Sequence, residues 1–208
     1  MHGRRNPFIA REGIPFLLFT LVLCWFSWQY LGLPWLAGAV LLLLVLFLIF
    51  RDPRRLVPAV PLGVVSPVDG RVIAIDAAAN GLFEGKGQRI TIRINSFGTY
   101  TARSPVEGKV MDLNSLSAEA ITIYRTNALW LQTDEGDDVV LQFSGYRFGL
   151  APRSLMRYGE RLGPGTRCAY LRLTRRAELH LPPDCKIQAE VGQRVTAGQD
   201  VLARLRSP

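Results

Sequence analysis

The chain is poor in the side chains that usually carry chemistry. Its 208 residues hold two histidines, His2 and His180, and three cysteines, Cys24, Cys168 and Cys185. That excludes a histidine-rich site. The cysteines have neither zinc spacing nor the density of a disulfide scaffold, which points to a reducing compartment and no metal. The sequence has no H-x-x-x-H pair, no glycine loop that would cradle a phosphate after a strand, and no G-x-S-x-G elbow. Ser144, in Phe143-Ser144-Gly145, lacks a histidine to activate it. His180 alternates with Leu179 and Leu181, as a strand residue on the less apolar face does. Lys86, in Glu84-Gly85-Lys86-Gly87, has the turn setting of an acylated carrier lysine but not the flanking residues of a carrier motif.

The stretch that organises the rest runs from Gly159 to Pro182. Gly159 to Gly165 reads as a turn and Thr166 to Leu173 as a strand. Thr174-Arg175-Arg176 is a charged break. Ala177 to Leu181 is a second strand, closed by Pro182 and Pro183.

Two kinds of segment must position this unit. Ile14 to Leu31 and Pro34 to Phe50 are apolar runs, each of the length that crosses a bilayer as a helix. Gly32 suits the end of the first and Pro34 the start of the second. Trp25, Trp28, Tyr30 and Trp35 cluster near the break, as aromatics do at a membrane interface. Arg4, Arg5 and Arg11 precede the pair; Arg51, Arg54 and Arg55 follow it, so both ends read as cytoplasmic. A signal peptide would have a shorter apolar region and no second run. Residues 1–55 are therefore expected to be a transmembrane helical hairpin.

Residues 56–208 switch to period two. Arg71–Asp76, Gln88–Ile94, Ala128–Thr133 and Asp138–Phe143 read as strands, with turns at Asn80-Gly81, Gly85-Lys86-Gly87 and Asp134 to Asp137. The one helix expected is a short one near Ser115 to Ala120. Short strands with frequent turns indicate an all-β domain. Two heptapeptides echo through it. Ser66-Pro67-Val68-Asp69-Gly70-Arg71-Val72 recurs as Ser104-Pro105-Val106-Glu107-Gly108-Lys109-Val110. Gly159 to Gly165 recurs as Gly192-Gln193-Arg194-Val195-Thr196-Ala197-Gly198. Such turns, each feeding a strand, resemble the barrel-sandwich hybrid of biotinyl and lipoyl carriers, here with each half present twice.

Taken in order, Ala10-Arg11-Glu12-Gly13-Ile14-Pro15-Phe16, Phe50-Arg51-Asp52-Pro53, Val65 to Val72, Arg103 to Gly108, Gln142 to Gly145 and Gly159 to Gly163 resemble the short, pyruvoyl-dependent phosphatidylserine decarboxylases of bacteria. The resemblance covers nearly the whole chain. It implies a proenzyme that carries a Gly-Ser pair. The Ser hydroxyl attacks the preceding carbonyl, the resulting ester eliminates, and the new N-terminus becomes a pyruvoyl group. That carbonyl forms a Schiff base with the serine amine of the lipid and accepts the electrons left by departing CO₂.

The chain departs from this pattern where it matters. Thr174 stands at the Gly position and Arg175 at the Ser position. Arginine has no hydroxyl or thiol and cannot form the ester. Attack by Thr174 would leave a ketobutyryl end in the wrong register, and no Gly-Ser pair occurs anywhere in the chain. Tyr100 stands at the family's His position, and a phenol with a pKa of about 10 is a poor base at neutral pH. Asp69, of the processing motif, is retained, although Pro67-Val68-Asp69-Gly70 also suits a plain β-turn. Arg103 is retained and can meet a phosphate or carboxylate.

The expectation is therefore a family member without its pyruvoyl group, and without another cofactor. It would lie in the inner (cytoplasmic) membrane with its β domain in the cytoplasm. Its expected partners are membrane phospholipid, phosphatidylserine first, and a further copy of itself or an active paralogue. Two other readings stand beside it: an active decarboxylase with an unusual or partner-supplied prosthetic group, and a structural β module tethered to the membrane. A net charge of +8 suits an anionic surface. Nucleic acid is not expected, because no aromatic-basic platform accompanies the charge.

Overall fold

The structure is a computed structural model that describes residues 8–78, 87–95, 97–111, 128–146 and 148–206. It divides into two compact units, Met1–Arg54 and Arg55–Pro208.

The first unit is a pair of helices, α1 (Ile14–Phe26) and α2 (Leu33–Phe50). A 3-10 turn, Arg11–Gly13, leads into α1, and a π-helical turn, Ser27–Leu31, prolongs it. Gly32, with φ at 86°, separates the helices in a conformation that favours glycine. Pro15 and Pro34 stand in the first turns, where a missing N–H costs nothing. The apolar stretches Arg11–Leu31 and Leu33–Phe50, 21 and 18 residues long, are long and apolar enough to cross a membrane.

Their side chains sort as a lipid-facing pair would. Phe19, Val22, Trp28 and Leu33 are exposed, whereas Thr20 and Ser27 are buried. The Thr20 hydroxyl donates to the Phe16 carbonyl, so this polar group is satisfied within its own helix. The two charged ends meet. Ala10 N–H donates to the Phe50 carbonyl at 2.9 Å and Asp52 N–H to the Phe8 carbonyl at 2.8 Å, around an antiparallel bridge from Ile9 to Arg51. The Phe50 ring lies flat against Phe16, with centroids 5.7 Å apart, and fills the space where Gly13 has no side chain.

The second unit is a mostly β domain. Its described strands are β1 (Gly63–Val65), β2 (Gly70–Ala78), β3 (Gly87–Ile94), β4 (Thr101–Arg103), β5 (Gly108–Val110), β6 (Ala128–Gln132), β7 (Asp138–Ser144), β8 (Arg153–Ser154), β9 (Arg161–Leu162), β10 (Arg167–Tyr170), β11 (Arg176–Leu181), β12 (Lys186–Ile187), β13 (Arg194–Val195) and β14 (Val201–Arg204). The four long strands match their period-two patterns to within two residues. The run from Thr166 to Leu173 does not hold throughout. It leaves the strand after Tyr170, because Leu171 to Thr174 turns, with Arg172 at φ 51° and Thr174 N–H bonded to the Leu171 carbonyl. The expected helix near Ser115 to Ala120 and the candidate Lys86 lie outside the described residues.

An eight-stranded sheet runs in the order β13-β2-β3-β11-β7-β6-β5-β9, with two three-stranded sheets, β1-β14-β12 and β4-β10-β8. The large sheet is open, so no closed barrel forms among the described residues. Val68, Val72, Ile90, Ile92, Leu141 and Leu179 are central to the apolar core.

The two echoes prove to be structural equivalents. Gly70 and Arg71 pair with Val195 and Arg194; Gly108 and Lys109 pair with Leu162 and Arg161. Gly198 N–H donates to the Ser66 carbonyl at 2.7 Å, and Gly165 N–H to the Ser104 carbonyl at 2.9 Å. The Ser66 and Ser104 hydroxyls each donate to the carbonyl two residues on, at Val68 and Val106. The halves also exchange bonds: Val65 N–H to the Pro105 carbonyl and Arg103 N–H to the Pro67 carbonyl, both at 2.8 Å. Each half's first echo thus pairs with the second echo of the same half. The two halves are joined by matching hydrogen bonds across an approximate two-fold.

Candidate functional site

The second half's Glu107 is exposed and pairs with Arg161 at 3.5 Å. Its counterpart in the first half, Asp69, is placed differently. Only 14% of its side chain is exposed. One carboxylate oxygen accepts from Ala197 N–H at 2.7 Å. The other accepts from Thr99 N–H at 2.9 Å and from the Arg55 guanidinium at 3.1 Å. Arg55 also donates to the Gln199 side chain at 3.2 Å. Gly70 lets the Asp69 turn enter β2, since a Cβ there would lie 2.2 Å from the Arg93 carbonyl oxygen.

The end of β3 gathers the remaining sequence-derived candidates. Asn95 N–H donates to the Asp69 carbonyl and, one residue earlier, Ile94 N–H donates to the Arg175 carbonyl, both at 2.8 Å. Leu171 N–H donates to the Tyr100 carbonyl at 2.9 Å. Asp69, Tyr100, Thr174 and Arg175 are therefore held in one place by backbone hydrogen bonds. The Tyr100 ring packs on Tyr170, with centroids 5.7 Å apart and planes at 42°. Thr174 is buried, and its hydroxyl donates to the Leu171 carbonyl. The Arg175 side chain is exposed.

Arg103 stands apart from this group's surface. It is 1% exposed and donates from one guanidinium nitrogen to the Gly165 carbonyl at 3.2 Å. Gly198 packs closely on it: a Cβ there would lie 3.1 Å from the Arg103 Cδ, and its φ of 72° favours glycine.

Two other candidates have structural surroundings. The Ser144 hydroxyl donates to the Glu178 carboxylate across the strand pair at 2.8 Å. His180 does lie on the face opposite Leu179 and Leu181, but that face is covered there. His180 is 3% exposed, and burial lowers its pKa to about 4, with a smaller opposing effect from Glu178. Burial also pushes the Cys168 thiol up to about 12 and Cys185 up to about 11, so neither is a ready nucleophile. Among the described residues no cluster of three His, Cys, Asp or Glu side chains could hold a metal.

Residues 42–203 match the family model described as phosphatidylserine decarboxylase. The chain belongs to the phosphatidylserine decarboxylase family. Its relatives include a phosphatidylserine decarboxylase proenzyme of Nitrosomonas eutropha, 33% identical over 97% of both chains. Those of Nitrosomonas europaea, covering 95% of both chains, and Burkholderia cenocepacia, covering 96% of this chain and 97% of the relative, are each 32% identical. The homology is of the bacterial type and extends through the helical pair. Among solved structures, glucose permease IIA from Mycoplasma capricolum overlaps 68% of this chain and 94% of its own, with 18% identity and a TM-score of 0.48, too loose a likeness to decide the fold.

The residues that sequence reasoning missed are those around Asp69. The sequence accounts for Arg55 as one of the positive charges that follow the second helix. Thr99 and Ala197 contribute backbone N–H groups, which no side-chain pattern announces.

Proposed function

We propose that this chain is a membrane-anchored member of the family that does not process itself, and that it serves phospholipid metabolism as a lipid-binding or regulatory homologue. The carrying observation is the state of the hydroxyl next to the processing position. Arg175 offers none, and the neighbouring Thr174 hydroxyl is buried and already donated to the Leu171 carbonyl. The residues present at these two positions do not fit the formation of a pyruvoyl group.

Asp69 supports the same reading. Its carboxylate accepts from two backbone N–H groups and from Arg55, which gives it a structural role that needs no processing chemistry. Tyr100 at the histidine position supplies no base near neutral pH. Asp69 acts in this account as a staple that ties the first echo to β4's approach and to the turn before Gly198.

The lipid partner is membrane phospholipid, with phosphatidylserine the first candidate, because the relatives are named for it. The helical pair anchors the chain in the inner membrane with the β unit in the cytoplasm, as the flanking arginines favour. A headgroup role for Arg103 requires access to a guanidinium that is buried, whereas a strut role does not. Headgroup binding by Arg103→Ala separates the two: unchanged affinity with lowered stability identifies the strut. The paired echoes support a duplicated barrel-sandwich hybrid as the ancestry of the β unit. Its proposed protein partner is a further copy of itself or an active paralogue.

The direct test is release of CO₂ from phosphatidylserine by the purified full chain in detergent. No release is expected. Sustained release from a chain expressed without any other decarboxylase would overturn the reading.

A further inference from the structure

Four arginines form a row across the large sheet. Arg194 on β13 is the direct cross-strand partner of Arg71 on β2; Arg71 is the partner of Arg93 on β3; Arg93 is the partner of Arg176 on β11. Direct partners share a face, so the four side chains stand side by side, and all four are exposed. With strands about 4.8 Å apart the row is about 14 Å long. Among the described residues no carboxylate forms an ion pair with any of them. Like charges directly opposite each other weaken a sheet. A row of four is therefore a standing electrostatic cost unless something anionic lies over it.

The same end of the sheet carries bare apolar tips. Phe97 follows β3, Phe148 follows β7, and Leu173 precedes β11; they are 77%, 88% and 45% exposed. Register places these loops beside the row, since Arg176 pairs with both Arg93 and Ser144, next to the ends of β3 and β7. Apolar tips beside guanidinium groups match the two layers of a membrane interface: acyl carbon for the tips, phosphate for the charges. Nucleic acid would use the charges and stack on the phenyl rings, but would leave the aliphatic Leu173 without a partner. The chain also carries two helices of membrane-crossing length.

We infer that the Arg194-Arg71-Arg93-Arg176 row and the Phe97, Phe148 and Leu173 tips form a docking surface of the β unit for an anionic phospholipid bilayer. This surface does not depend on whether the chain processes itself. An uncleaved chain and an undocked β unit are separate outcomes.

The experiment uses the full chain in nanodiscs, with a polarity-sensitive fluorophore on Phe97→Cys in a Cys24→Ala background. Nanodiscs of phosphatidylcholine alone are compared with nanodiscs that also contain phosphatidylglycerol, an anionic lipid that is not the family's named substrate. A blue shift is expected only with phosphatidylglycerol. It should disappear in about 1 M salt, where the screening length falls to about 3 Å. It should also disappear when all four arginines become Gln and persist when they become Lys. Equal emission in the two nanodiscs would overturn the inference. So would arginine-dependent binding of a labelled RNA oligonucleotide by the detergent-solubilised chain without a lipid-dependent shift. A second readout guards against misfolding: Arg93→Thr, which relieves the row's repulsion, should unfold in detergent at or above the parent's temperature, and a marked drop would show that the row serves the fold instead.

Discussion

The Arg55 guanidinium lies 3.1 Å from the Asp69 carboxylate, joining the start of the β unit to the turn that carries the family's processing acid. The same carboxylate oxygen receives Thr99 N–H, so one atom ties three segments together. These contacts give Asp69 a structural role.

Removing Asp69 should cost far more than removing Arg55. The ion pair is partly exposed, and such pairs contribute about 1 kcal/mol or less. Asp69→Ala instead strands the N–H groups of Thr99 and Ala197, at about 1–3 kcal/mol each when buried. Thermal unfolding of the detergent-solubilised chain should show a large loss for Asp69→Ala and a small one for Arg55→Ala. Equal, negligible effects would mean that Asp69 holds nothing together.

Restoring the chemistry needs more than one change. Arg175→Ser returns a nucleophile, Thr174→Gly supplies the glycine before it and removes the hydroxyl that donates to the Leu171 carbonyl, and Tyr100→His returns a base. The triple variant should break into two fragments on a denaturing gel, while Arg175→Ser alone stays almost intact. A triple variant that never breaks would show that the loss reaches beyond these positions.

His180 sets an acid limit on stability. Its folded pKa is lowered to about 4 by burial, against 6.5 when unfolded. In that window the unfolded state binds the extra proton, so stability falls as pH drops from about 6.5 toward 4 and levels below it. The full span is worth about 3 kcal/mol. Denaturation midpoints from pH 7 to pH 4 should decline in the parent and flatten over this window in His180→Leu. An unchanged slope in the variant would assign the acid sensitivity elsewhere.

Much of this architecture was legible because it is periodic. Uninterrupted apolar runs can only be helices in an apolar setting, and Ile90, Ile92, Leu179 and Leu181 alternate because one face of their strands is core. The echoes were legible as repeats, although their mutual pairing was not, because register depends on segments far apart in sequence. The strand expected to reach Leu173 ended at Tyr170 because Arg172 adopts a left-handed conformation, which a non-glycine sequence does not advertise. The alternation put His180 on the less apolar face, but its burial there was not legible, because alternation reports two faces and not whether both are covered. The ring of contacts on Asp69 was hidden for another reason: two of its three donors are backbone groups, and the third is an arginine that a topology argument had already explained.

The most direct test is the intact mass of the purified, detergent-solubilised chain, read beside a denaturing gel. A single species at the full-length 23.2 kDa is expected, because Arg175 cannot form the ester that precedes scission. Two fragments parted near Thr174 or Arg175, the second with a blocked N-terminus, would contradict the central claim and mean that this chain reaches its prosthetic group by another route.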